Sequence, residues 1–161
     1  MGYAPVAYTI GYEGCKLEEF VARLQEQQIK VLIDIREKPA SRKRGFSKTP
    51  LREALEEAGI EYVHVKALGS PSAIRYEYKN GGDKETFFTA YRAYLKTQLA
   101  YLRTVLDAVR EKTCCLMCLE RFVLLSYSSH LRVSRSRDRL CSCAVTVLIS
   151  ELSIMSSAGS S

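Results

Sequence analysis

Residues 30–48 read KVLIDIREKPASRKRGFSK. After Lys30 the next five are apolar or β-branched around one Asp, a run that suits a strand buried on both faces. Beyond Ile35 the character changes at once: Arg36, Arg42, Lys43, Arg44 and Lys48 follow within a loop containing Pro39 and Gly45. An apolar strand that ends in a polar, charged loop is the unit from which parallel sheets are built, provided helices alternate with such strands.

Outward from this stretch they do. A short β-prone run at 6–10 ends at Gly11. Leu17, Phe20, Val21 and Leu24 recur at helical spacing and form one apolar face. Thr49 is read as a cap with Pro50 in the first turn of a helix that stops at Gly59. A third strand spans 60–65. Asp83 is read as the cap of one long helix over 84–112, with Phe87, Tyr91, Tyr94 or Leu95, Leu99, Leu102, Leu106 and Val109 as its stripe. A fourth strand spans 113–119. The alternation predicts a small doubly wound α/β domain, mostly parallel, with right-handed crossovers and helices on both faces. A flavodoxin-like arrangement is one candidate, and the strand order stays open.

The chain has 161 residues, 47% hydrophobic and 26% charged, which fits one domain over residues 1–121. No apolar run reaches the roughly 20 residues of a membrane span, and the start carries no secretory pattern, so a cytoplasmic protein without a membrane partner is expected. Six Cys fit free thiols there better than a disulfide framework. The net charge of +6 is compatible with phosphates or nucleic acid.

In open parallel sheets ligands bind beyond the carboxyl ends of the strands. After the first strand come Gly11, Tyr12, Glu13 and Gly14. At the second come Asp34, Arg36 and the basic loop. Past the third, near His64, come Lys66, Leu68 and Gly69, and past the fourth Cys118, Glu120 and Arg121. Charge from four segments is thus expected at one edge. Arg36, Arg42 and Lys48 are the candidate anion binders, because guanidinium forks and ammonium groups suit phosphate or carboxylate. Glu13, Asp34, Cys118 and Glu120 are the candidate catalytic groups. Gly11, Gly14 and Gly69 are candidate turn or close-approach positions. Each has a plainer reading: Arg36 as an ion pair with Asp34 or Glu13, the loop cations as a solvated face, His64 as a core histidine. No metal site is expected. Cys115 and Cys118, three apart on a strand, point to opposite faces, and Cys141 and Cys143 have the wrong spacing for zinc. No nucleotide or hydrolase fingerprint is present. Nothing in the sequence selects a cofactor, a reaction or an oligomeric state.

The segments TIGYEG (9–14), QQIKVLIDIREKPASRKRGFSK (27–48), GIEYVHVKALG (59–69), FFTAYRAYL (87–95) and CCLMCLE (114–120) together resemble the domain of unknown function 488 family over residues 6–121. The resemblance implies a small cytoplasmic α/β protein without an established activity. It maps the family pattern onto Gly11, Tyr12, Glu13, Gly14, Asp34, Arg36, Pro39, Ser41, Arg42, Phe46, Ser47, Lys48, Leu68, Gly69, Cys118 and Glu120. Ser70 stands where a second Gly is usual, and the family's Cys-His-Arg after Glu120 is missing. Composition changes at the same place: residues 122–161 hold 12 Ser against four in the first 121. The expectation is an atypical Ser/Arg-rich tail, out of frame from near codon 122 or disordered. Under the first alternative one sheet face loses its cover. Three functional readings follow: a strand-end pocket that binds an anion or nucleotide or is catalytic, a non-catalytic nucleic-acid-binding module that uses the 42–48 loop, or a structural or interaction protein.

Overall fold

The computed structural model describes residues 7–118, 125–127 and 141–158. Strands β1 (Ala7–Gly11), β2 (Val31–Asp34), β3 (Glu61–His64) and β4 (Cys114–Cys118) are mutually parallel, and β5 (Leu125–Tyr127) adds an antiparallel edge. The order is β3-β2-β4-β1-β5. A flavodoxin-like sheet runs 2-1-3-4-5, so that arrangement is not the one adopted. Here β4 inserts between β1 and β2, and the β1-to-β2 crossover strides over it.

Handedness then distributes the helices. β1 to β2 to β3 progresses in one direction, so right-handed crossovers put α1 (Leu17–Glu26) and α2 (Lys48–Glu57) on one face. The return from β3 to β4 puts α4 (Lys84–Lys96) and α5 (Leu99–Glu111) on the other. Alternation along the strands confirms it. Leu32, Cys115 and Met117 join Phe20, Leu24, Leu51 and Leu55 in one core cluster. Val31, Ile33, Cys114 and Leu116 join Tyr91, Leu95, Leu102 and Val105 in the other. This is a doubly wound α/β fold.

Three details differ from the sequence reading. The expected helix over 84–112 is broken. At the break Thr97 and Gln98 donate their backbone N–H groups to Tyr94 and Leu95, three residues back, and the Thr97 hydroxyl also bonds the Tyr94 carbonyl. A Thr side chain that competes for backbone partners favours such a turn, and Leu99 becomes half exposed rather than part of one stripe. Helix α2 begins at Lys48, so Ser47, not Thr49, occupies the cap position. The Ser47 hydroxyl serves the loop instead, accepting from Ser41 N and donating to Ser41 O. The sequence pattern marks no element over residues 70–82, yet α3 (Ser72–Lys79) lies there.

Of the tail, α6 (Cys141–Ala158) contributes Val147, Leu148, Ile149 and Leu152 to the core on the α4 side. Arg92 of α4 pairs with Glu151 of α6 at 3.3 Å. That face is therefore covered. Among the described residues no helix is long and apolar enough to cross a membrane.

Candidate functional site at the strand carboxyl ends

The chain leaves β2 toward α2 on one face and leaves β3 toward α3, α4 and α5 on the other. Two adjacent strands whose connections part in this way open a crevice between their carboxyl ends, the usual ligand position in such sheets. Asp34 and His64 are register partners at that point.

Asp34 is fully buried and the Arg36 side chain is 9% exposed. The Arg36 guanidinium donates from Nε to both carboxylate oxygens, at 2.9 and 3.1 Å, and from Nη2 at 2.6 Å. Nη1 donates to Phe46 O at 2.8 Å and to the Tyr12 hydroxyl at 3.3 Å. The Tyr62 hydroxyl donates to Asp34 Oδ2 at 2.6 Å. Burial alone lowers the Arg36 pKa, but the hydrogen bonds and charge of Asp34 outweigh it and hold the guanidinium charged. Burial, then Asp34, raises Tyr62 and keeps its proton in place. So Arg36 is engaged by the protein itself and anchors the loop beyond it. Phe46 is buried there, stacked on Tyr12 at 4.7 Å and edge-on to Phe20.

The loop is folded, not merely solvated. Lys48 N donates to Pro39 O at 2.9 Å, and Lys43 Nζ reaches Tyr12 O at 3.0 Å. Lys38, Arg42, Arg44 and Lys48 are exposed, and among the described residues none of them forms an ion pair.

Glu37, next in the chain, turns to the other side. Its carboxylate accepts from Ser72 N and Oγ at the start of α3 and from Arg75. The Ser72 hydrogen bonds, against a small burial cost, and then Arg75 hold Glu37 below its ordinary value. Gly69 packs where only hydrogen fits: a Cβ there would lie 2.6 Å from both Glu37 N and Ile35 O. Gly14, at φ +74°, occupies the left-handed region that favours glycine.

Beside Glu37 opens a cavity of about 710 Å³, bordered by His64, Lys66, Pro71, Tyr94, Tyr101 and Thr104. His64 is half-buried, and its Nε2 donates to Arg36 O at 2.8 Å. It couples the anchored loop to the cavity wall.

The remaining candidates are more dispersed. Glu13 is exposed in the turn after β1. Cys118 ends β4, its backbone paired with Gly11. Glu120 and Arg121 lie outside the described residues. Cys114 and Cys115 face opposite cores. Burial raises Cys114 to about 11 and Cys115 well above the ordinary thiol range, so both are neutral thiols at pH 7. Among the described residues no three His, Cys, Asp or Glu side chains are grouped to hold a metal. Sequence reasoning missed Glu37, Tyr62, Ser72 and Arg75. Only Glu37 carried a signal, as a carboxylate immediately beyond a strand end.

The fold, the strand-end charges and the GYEG and DIREKPASR segments agree with one further observation. The model of a family described as domain of unknown function DUF488 matches residues 16–132. The chain belongs to this family. The match runs past residue 121, where the quoted motifs stop. No curated protein and no solved structure matches the chain. Membership in DUF488 brings no assigned activity, so a functional reading has to come from the site.

Proposed function

We propose that this DUF488 protein binds a small anionic ligand in the cavity between the carboxyl ends of β2 and β3. The observation that carries the reading is the coincidence of cavity and switch point: the 710 Å³ space opens where the connections of two adjacent strands part. Lys66 is the contacting cation. It is exposed at the rim, and among the described residues no carboxylate pairs with it. Arg36 is a positioning residue. Its guanidinium is spent on Asp34, Phe46 and Tyr12, while its carbonyl receives His64. Asp34 orients Arg36 and Tyr62 in the same way. Replacing Lys66 by Ala is expected to weaken pyrophosphate binding about tenfold in titration calorimetry, the worth of one charge-assisted hydrogen bond. Because Lys66 is exposed, the unfolding midpoint should hold. Unchanged affinity would reject Lys66 as the contacting cation.

A second reading has its own support. Lys38, Arg42, Arg44 and Lys48 are exposed on a folded loop at the same sheet edge and form no ion pair among the described residues, as suits a phosphate-binding surface for nucleic acid. Binding to a single-stranded oligonucleotide would then fall with salt at a log–log slope near −0.7 per phosphate contacted. A flat slope, or no binding at low salt, would remove this reading and leave the cavity.

A further inference from the structure

We infer that the cavity takes a planar aromatic ring bearing one anionic group, a ligand of the class and size of a nucleoside monophosphate. The inference rests on the reading of the cavity as an anion site and narrows it.

Size comes first. About 710 Å³ falls within the range of small-molecule sites, roughly 300 to 1,000 Å³, and exceeds what a bare phosphate fills. The walls come second. Tyr94 and Tyr101 both border the space. The Tyr94 hydroxyl donates to Ala67 O at 2.8 Å, which ties α4 to the turn at Lys66–Leu68. Tyr91 lies nearly parallel to it at 6.5 Å and backs the Tyr94 ring. Tyr101 is 50% exposed at the rim, leaving ring surface uncovered. Two aromatic walls beside Val65, Ala67 and Pro71 suit a flat π-system better than a flexible chain, because ring-on-ring packing adds to simple burial.

Charge comes third. The lining holds one lysine and one glutamate. Glu37 is answered by Arg75, which leaves the Lys66 ammonium as the net charge and calls for one anionic group. A lysine, as a point charge, accepts a phosphate from many directions. Polar discrimination comes last. The Thr104 hydroxyl, donating to Ala100 O, keeps lone pairs for a ligand N–H. The cavity thus combines a stacking wall, an acceptor and a cation.

The same ring and phosphate occur in a free mononucleotide and in an unpaired nucleotide of a strand. Amide chemical shifts of the ¹⁵N-labelled full chain, titrated with AMP, adenosine, pyrophosphate and a single-stranded tetra-adenylate, separate the cases. AMP is expected to move the amides of 37, 64–67 and 101–104. It should saturate at about tenfold lower concentration than adenosine or pyrophosphate. Tyr101→Ala and Lys66→Ala should each raise the AMP Kd roughly tenfold, the loss of one stack or one charge contact, while Tyr101→Phe retains affinity. Tetra-adenylate binding more tightly at the same amides assigns the strand as source; equal or weaker binding assigns the free nucleotide. Pyrophosphate binding as tightly as AMP overturns the ring requirement and leaves the anion site standing. No shift at these amides with any of the four overturns both.

Discussion

Two carboxylate–guanidinium pairs flank the same strand end, and they are built for different work. Asp34–Arg36 is buried, at 0% and 9% side-chain exposure. Glu37–Arg75 is open, at 20% and 33%. Arg36 and Glu37 are neighbours in the chain, yet one faces the α1/α2 core and the other the cavity on the α4/α5 side. The first pair is desolvated and every oxygen of Asp34 is used, so it fixes the backbone. The second is screened by water and ties α3 to the site. The comparison teaches that the most conspicuous charge at a strand end need not be the one a ligand meets.

The contrast is broken most severely at the buried pair. Asp34→Ala leaves the Arg36 guanidinium buried without its carboxylate and the Tyr62 hydroxyl without its acceptor. A loss of about 3–5 kcal/mol is expected in urea unfolding. A loss below about 1 kcal/mol would mean that the pair is not the anchor described. Gly69→Ala comes next. Its methyl would press on backbone atoms on either side of Arg36, at 2.6 Å, and should cost about 1–3 kcal/mol, read as a lower thermal midpoint.

At the open pair Glu37→Gln should cost no more than about 1 kcal/mol, less in high salt. Its pH dependence has a definite sign. The folded Glu37 lies below its ordinary value of about 4.5, so the unfolded chain takes up the proton first. The stabilisation is complete above that pH and vanishes as pH falls through the lower folded value. Native protein and variant should therefore differ at pH 7 and converge in acid, and a gap that widens in acid would contradict the assignment. Smallest of all, Arg42→Ala with Lys48→Ala should change stability by less than about 0.5 kcal/mol, because both side chains are exposed and form no ion pair among the described residues. A larger loss in thermal unfolding would show that these cations serve the fold.

Much of the scaffold was legible in residues 30–48 and their counterparts. The runs read as strands at 30–35, 60–65 and 113–119 did become parallel strands. Three things were not legible, each for a physical reason. The fate of Arg36 depends on where the loop returns, because Phe46 O and the Tyr12 hydroxyl reach it only in the folded chain. The cavity depends on the break at Thr97–Gln98, which sets Tyr94 and Tyr101 on separate helices. A continuous apolar stripe conceals that break. Helix α3 buries no residue fully, so its packing is weakly marked in the sequence; it is held by Glu37 at its start and by the Tyr78–Phe87 ring contact at 5.5 Å.

The central claim is that the ligand meets the open side of this strand end and not the loop anchored by the buried pair. The most direct test is a pyrophosphate titration of the ¹⁵N-labelled native protein, followed residue by residue. The account predicts saturable shifts at Glu37 and at 64–67, with 42–48 unmoved. Shifts confined to 42–48, or none at 64–67 at saturating pyrophosphate, would contradict it.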